Sequence, residues 1–324
     1  MSFCFKTYEN NQSLLNTTQQ WIRNILKSGL NTPNGIHVCV ESSLNNASEL
    51  NIKRPLVLKQ SFGETSIALQ PNCVMRQCYG SSKGSASNTV GIDIMNMVTR
   101  DMDSHLQSMA RILETTCSRE LNKRGCSNLV KPHLNQCQVL IYYGIKGYKQ
   151  KSVIPIHCDC VYNKDGKFVA SANSQVENTP TISYTVCGSR KMYFQRRYID
   201  QNTNNWVEDS GYKKSFVLCE GDVMLLHPYD EKPRKMRIQD YEPIVYGQYQ
   251  HGSVKVNMNE LSIVLVFRQV NNLQKHCMHT NKRIFDTSKE KGEFRKLVED
   301  NLHLSFDPND FQSKLLDLFE KSMI

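Results

Sequence analysis

TISYTVCGSRKMYFQRRY, residues 181–198, decides the fold of this chain. TISYTVC (181–187) is built from β-branched and aromatic residues and follows the Pro-containing ENTP (177–180). It reads as a short strand, and KMYFQRRY (191–198) reads as a second one directly after it. Working outward, SFVLCEGDVMLLH (215–227) reads as two strands meeting at Gly221-Asp222. CQVLIYY (137–143), SVIPIH (152–157) and ELSIVLVFRQV (260–270) supply three more. Short strands separated by turn signals point to a sandwich or a jelly roll.

Helical patterns flank this β region. WIRNILKSGL (21–30) has the spacing of a short amphipathic helix. In 92–122, Met95, Val98, Met102, Leu106, Met109 and Leu113 recur every three or four residues and make one apolar face. SSKGSAS (81–87) is a loop by composition. EKGEFRKLVEDNL (290–302) and DFQSKLLDLFEKSMI (310–324) are amphipathic, with a loop at Pro308 between them. The chain is therefore expected to be α+β. Residues 1–130 form a mixed extension with the place of a substrate lid, 131–275 the β core, and 276–324 a helical extension.

Composition bounds the function classes. The chain has 324 residues, 39% of them hydrophobic, which is enough for a sizeable core. No apolar run approaches the roughly 18 residues that a membrane helix needs, and the N-terminus lacks a signal-peptide pattern. The expectation is a protein inside the cell, cytoplasmic or nuclear, without a membrane partner. Twelve cysteines are scattered with no CxxC, so reduced thiols are expected. The net charge is +9, concentrated in 189–198, 213–222 and 230–240. Clustered Lys and Arg either make a solvated basic surface or bind polyanions by neutralising phosphates.

His157-Cys158-Asp159, in SVIPIHCDCVYN (152–163), carries the chemistry. Strand alternation puts His157 and Asp159 on one face and Cys158 on the other. An imidazole and a carboxylate make a mixed N/O pair for a divalent transition metal. A second His would complete the two-His, one-carboxylate triad of non-haem iron(II) sites, with open positions left over. HxD by itself is common, and a structural His is its default reading. Here it ends a strand, and His251 stands 94 residues downstream, just before another strand. His227 competes for the same role, but no strand with an inward Arg follows it at suitable spacing. His133 and His105 look like ordinary loop or helix residues. A zinc reading through Cys158 and Cys160 would divide its ligands between two faces.

On the last strand, Leu261, Ile263, Leu265 and Phe267 point one way, and Ser262, Val264, Val266 and Arg268 the other. An inward Arg on an apolar strand needs an anionic partner, because a buried unpaired charge is costly. A planar guanidinium holds a carboxylate through two parallel hydrogen bonds.

His157-x-Asp159, His251 and Arg268 together resemble the 2-oxoglutarate/iron(II) dioxygenases, and within them the AlkB-like branch. VLIYYGIKG, PTISYTVCGSRKMYFQRR, the EGDVMLLH turn, Tyr249-Gln250-His251-Gly252 and Phe267-Arg268-Gln269 carry the resemblance, over about residues 135–270. It implies a double-stranded β-helix. It implies iron(II) held by His157, Asp159 and His251, with these three as the catalytic set. It implies 2-oxoglutarate as cosubstrate with O2, its far carboxylate gripped by Arg268. AlkB-like proteins carry two arginines six residues apart, whereas this chain has Ser262 at that spacing before Arg268. Either Arg268 serves alone or another residue helps, with Tyr142 and Tyr143 as candidates beside Ser262. The segments 161–180 and 199–214 hold the excess length between HxD and His251, and 161–180 has the place of a lid.

The resemblance and the charge together point to oxidative dealkylation of nucleic-acid bases, single-stranded or modified. Tyr79, Tyr143 and Tyr148 are available to stack a flipped base. Protein or small-molecule hydroxylation, and a non-catalytic basic binding module on the same fold, stay open, since one fold hosts many functions.

Overall fold

The computed structural model describes residues 4–8, 11–28, 37–46, 49–63, 89–91, 100–123, 132–145, 160–162, 168–171, 175–176, 179–200, 202–203, 205–226, 229–230, 247–253, 257, 259–269 and 308–323. The expected strand at 152–157, the helical patterns at 92–99 and 290–302, and the loop at 81–87 lie outside these residues.

The strands are β1 (Cys4–Tyr8), β2 (His37–Asn46), β3 (Glu49–Gly63), β4 (Thr89–Gly91), β5 (Arg100–Asp101), β6 (Gln136–Tyr143), β7 (Cys160–Tyr162), β8 (Phe168–Ser171), β9 (Thr181–Cys187), β10 (Arg190–Asp200), β11 (Asn205–Leu218), β12 (Asp222–Leu226), β13 (Tyr229–Asp230), β14 (Gly247–Ser253) and β15 (Leu261–Arg268). The helices are α1 (Gln12–Lys27), α2 (Ser104–Lys123) and α3 (Pro308–Ser322).

The large sheet has the order β1-β12-β9-β15-β6-β3-β2-β4, with β5 against β3. The small sheet has the order β11-β10-β14-β13, and β7 and β8 form a separate hairpin. From β9 the chain crosses to the small sheet for β10 and β11, returns for β12, crosses again for β14 and returns for β15. The last strand is inserted between β9 and β6. This alternation, with β6, β15, β9 and β12 as adjacent antiparallel strands, is a double-stranded β-helix. With the three helices of the described residues packed outside, the class is α+β. Strands from the first 130 residues extend the large sheet at both sides, β1 on β12 and β3 on β6.

Two of the crossings have a local cause. The chain leaves β9 through Gly188 at φ 68° and enters β12 through Gly221 at φ 79°, both in the left-handed region that glycine enters without steric cost. At Gly188 a Cβ would sit 2.0 Å from the Leu261 carbonyl oxygen, so only a bare backbone lets the turn lie against β15. Glu220 fixes this corner by accepting the Gly188 N–H at 2.9 Å.

The outer face of the large sheet is apolar. Cys137, Val139, Ile141 and Tyr143 from β6 join Leu261, Ile263, Leu265 and Phe267 from β15 in the main core. The helices bury their stripes there: Leu14, Leu15, Ile22, Ile25 and Leu26 from α1, Leu106, Met109 and Leu113 from α2, and Phe311, Leu315 and Phe319 from α3. The stripe read from the sequence is thus core from Met102 onward. α1 is longer than its sequence pattern showed because Asn11 caps it, accepting the Leu14 N–H at 2.9 Å. Asp103 does the same for α2 by accepting the Leu106 N–H, and its other oxygen accepts from the Trp21 indole at 2.7 Å, which ties α2 to α1. Arg23 of α1 and Glu320 of α3 make two parallel hydrogen bonds at 2.8 and 2.9 Å. Among the described residues no helix is long and apolar enough to cross a membrane.

Candidate active site

The other face of the large sheet looks toward the small sheet, and it is polar. Register and alternation place Gln136, Gln138, Leu140 and Tyr142 of β6 beside Arg268, Val266, Val264 and Ser262 of β15. Ser183 and Thr185 of β9 continue the same face beside Val266 and Val264. The residues with apolar side chains there form only a small separate cluster, Leu140, Tyr142, Val264 and Val266. Gln136 Oε1, Ser183 Oγ, Thr185 Oγ1 and Ser262 Oγ are buried without a hydrogen-bond partner among the described residues. A buried polar atom left so costs about 1–3 kcal/mol. A wall that carries four of them is built to meet a polar ligand rather than to pack.

From the small sheet, β10 and β14 supply the facing side chains. Phe194 is the cross-strand partner of His251 and Met192 of Ser253. The His251 ring is buried and stacks on Phe194, with centroids 6.4 Å apart and planes 17° apart. Two residues further along the same face, Ser253 accepts a hydrogen bond from Nη2 of Arg190. The Arg190 guanidinium carbon lies 3.2 Å from the centroid of the Tyr142 ring, so this side chain bridges the two sheets. Burial lowers the Arg190 pKa to about 10, against the opposing effect of Tyr142, and leaves it a cation at neutral pH.

Among the described residues three arginines are buried, with different neighbours. Arg196 pairs with Asp209 at 3.1 Å. Arg268 donates from Nη1 to Oε1 of Gln138 at 3.0 Å. Arg190 lies against Tyr142 and Ser253.

The structure brings together Tyr142, Ser262, Arg190 and Ser253 at one end of the space between the sheets, with His251 two residues before Ser253 on β14. Arg268 lies at the other end of β15, six residues from Ser262, which is about 20 Å along an extended strand. Tyr143 does not join the group. It faces the helices, edge-on to Phe311 at 4.9 Å between centroids, because it neighbours Tyr142 on a strand whose side chains alternate. His157, Asp159, His227, Tyr79 and Tyr148 lie outside the described residues, and among the described residues no three His, Cys, Asp or Glu side chains converge. His105 stands on α2 beside Trp21 and Thr18, and His133 is an exposed loop residue near Glu114.

Sequence reasoning missed Arg190. It lies in SRKMYFQRRY, a stretch that reads as basic surface. Alternation groups Arg190 with Met192, Phe194 and Arg196, and Lys191 with Tyr193, Gln195 and Arg197. Each set mixes polar and apolar residues, so the pattern alone does not tell the inner set from the outer.

No protein-family model and no curated protein matches the sequence. Among solved structures, a prolyl-4-hydroxylase from Pseudomonas putida aligns at a TM-score of 0.36 and 8% identity, over 84% of this chain and 94% of that one. A Trichoplax adhaerens prolyl hydroxylase, solved with a hypoxia inducible factor oxygen degradation domain peptide, aligns at 0.35 and 12%, over 87% and 89%. The non-haem α-ketoglutarate-dependent epimerase SnoN of nogalamycin biosynthesis aligns at 0.38 and 11%, over 83% and 79%. The fold itself rests on the strand order of this chain.

Proposed function

We propose that the chain is an iron(II)/2-oxoglutarate-dependent dioxygenase of AlkB-like type that oxidatively dealkylates nucleic-acid bases. The observation that carries this reading is the polar, cation-bearing face enclosed between the sheets, with a buried histidine on β14 and orphaned hydroxyls on β9 and β15. A chain that buries so much polar surface between two sheets does so for a ligand. The donor set fits iron(II). His251 supplies a buried imidazole on the inner face, and His157 and Asp159 supply the N/O pair by sequence.

With 2-oxoglutarate, bound iron(II) supplies the reduction of O2 that is coupled to decarboxylation of the cosubstrate to succinate and CO2, one oxygen atom entering a substrate C–H bond. The chain's own residues do the rest. Phe194 holds the His251 ring by stacking, which limits the directions its nitrogens can take. The two sheets keep bulk water from the site. Dealkylation of nucleic acid, rather than another C–H oxidation, is supported by the net charge of +9 and by the solvent face of the small sheet. That face presents Tyr193 with Lys191 beside its ring at 5.5 Å, and Lys213 and Val217 on the adjoining strand.

The test is an oxygen-dependent assay of the iron-loaded chain with 2-oxoglutarate and N-methylated single-stranded oligonucleotides, reading succinate, formaldehyde and the demethylated base. All three should appear together. Succinate stimulated by a peptide or small molecule instead would reassign the substrate. No succinate under any condition would leave a binding module on this fold. In parallel, His251→Ala should weaken Mn(II) binding by more than about a hundredfold, because even residues that only support metal ligands are worth about 10–100-fold.

A further inference from the structure

The back of the small sheet gathers exposures that are rare in this chain. Among the described residues, Tyr193 and Val217 are the large hydrophobic side chains left open to solvent, at 41% and 53%. They are not scattered. Tyr193 of β10 pairs with Ser215 of β11, and Val217 stands two residues further along β11, opposite Lys191. That makes Tyr193 and Val217 diagonal neighbours on one face, about 7–8 Å apart. Single exposed apolar residues need no explanation, whereas adjacent ones with a polar rim mark an interaction site.

The rim is basic. The Lys191 ammonium lies 5.5 Å from the centroid of the Tyr193 ring. Lys213, also exposed, stands opposite Gln195. Lys191 is two residues before Tyr193 and Gln195 two residues after it, so a lysine lies about 7 Å to either side of the ring along the strands. One carboxylate shares this edge: Glu208 accepts from Gln195 at 2.7 Å and lies 4.0 Å from Lys213. An exposed ion pair at that separation is weak, so it does not keep Lys213 from another anion. Directly across from Tyr193 are Ser215 on one side and Gly252 on the other, so neither neighbouring strand raises a large side chain against the ring.

An open aromatic face with a cation on either side suits single-stranded nucleic acid, in which a base stacks on the ring while backbone phosphates meet the lysines. An acidic peptide would use the lysines and leave the ring idle. Phe194, the next residue of β10, faces the opposite way, onto His251. A strand held on Tyr193 is therefore separated from the interior site by the small sheet.

We propose that the outer face of β10 and β11 binds single-stranded nucleic acid, with Tyr193 as the stacking platform and Lys191 and Lys213 as phosphate contacts. The choice of partner rests on the reading of the chain as a nucleic-acid dioxygenase. The surface is an anchor for the strand outside the barrel, distinct from the place where a base would be oxidised.

The experiment titrates the full, metal-free chain into fluorescein-labelled oligothymidylate and follows anisotropy at several salt concentrations. Tyr193→Ala should weaken binding about fivefold or more, the low end of the loss when a stacked base is deprived of its aromatic partner, with the salt slope unchanged. Tyr193→Phe, which keeps a ring, should retain the affinity. Replacing Lys191 and Lys213 together by Gln should make the plot of log affinity against log salt shallower by about 1.4, from about 0.7 for each phosphate contact on a single strand. Tyr193→Ala that binds as the wild type does overturns the platform, even if the lysines matter. Polyglutamate bound as tightly as oligothymidylate overturns it too, and leaves a basic face for acidic proteins. Binding with all these dependences, but no oxidation of methylated oligonucleotides by the iron-loaded chain, overturns the proposed function and leaves this surface standing. Oxidation of methylated oligonucleotides with binding indifferent to every variant overturns this surface alone.

Discussion

At the residue scale, the molecule shows how burial is reconciled with charge and reactivity. Arg196 has a carboxylate at 3.1 Å, Arg268 an amide oxygen at 3.0 Å, and Arg190 an aromatic face and a hydroxyl. The cysteines show the same physics from the other side. Burial pushes the Cys117 thiol up to about 12, with Glu114 adding to it. Burial also raises Cys187 to about 11, opposed by its contact with Ser322. Cys137, wholly buried, is raised well above its ordinary value even though the Arg268 charge pulls it down. The thiolate is the nucleophile, so these thiols are inert at neutral pH, while Cys219 is exposed. Alkylation of the native chain at pH 8, mapped by mass spectrometry, should mark Cys219 and spare Cys117, Cys137 and Cys187 until denaturant is added. Rapid native labelling of Cys137 would show that the β6–β15 core opens far more readily than its packing implies.

At the scale of elements, the β9–β10 corner carries a tight backbone constraint. Its two constraints, a left-handed φ at Gly188 and the Leu261 carbonyl where a Cβ would go, act on the same residue. Gly188→Ala should destabilise the chain by about 1–3 kcal/mol from backbone strain, with the steric clash adding to it. Chemical denaturation reads this effect. An unchanged denaturation midpoint would mean that β15 can yield at Leu261. The helices act more simply. Phe311, Leu315 and Phe319 repeat every four residues and are fully buried, so α3 is part of the core rather than an appended tail.

At the scale of the whole molecule, the apolar side of the large sheet stabilises the fold and the polar side is spent on the site. A ligand that satisfies the orphaned hydroxyls should return part of that stability. With Mn(II) and 2-oxoglutarate each at about 100 times its dissociation constant, each should add about 2.7 kcal/mol to the unfolding free energy. Removing the metal with a chelator should abolish both increments, because 2-oxoglutarate is read here as binding beside it. Stabilisation by 2-oxoglutarate that survives the chelator would place the anion elsewhere.

Much of this was legible along the chain. The alternation of β15 predicted which of its residues face the helices and which face inward, because a period of two admits only two faces and one is wholly apolar. TISYTVC and the turn at Gly221-Asp222 were equally plain, their residues being β-branched or left-handed by necessity. The long β2–β3 hairpin was not, since residues 37–63 alternate little and its pairing to β6 joins residues some 80 apart. The sequence by itself determined the α+β class, the strand and helix types of the core and the residue types available to a metal. Only the tertiary structure decided which side of β10 is inside and that Arg190 reaches across the two sheets to Tyr142 and Ser253. Those facts depend on how two sheets close over one another, and closure is set by turns and register between strands far apart in the chain, where local pattern carries no information.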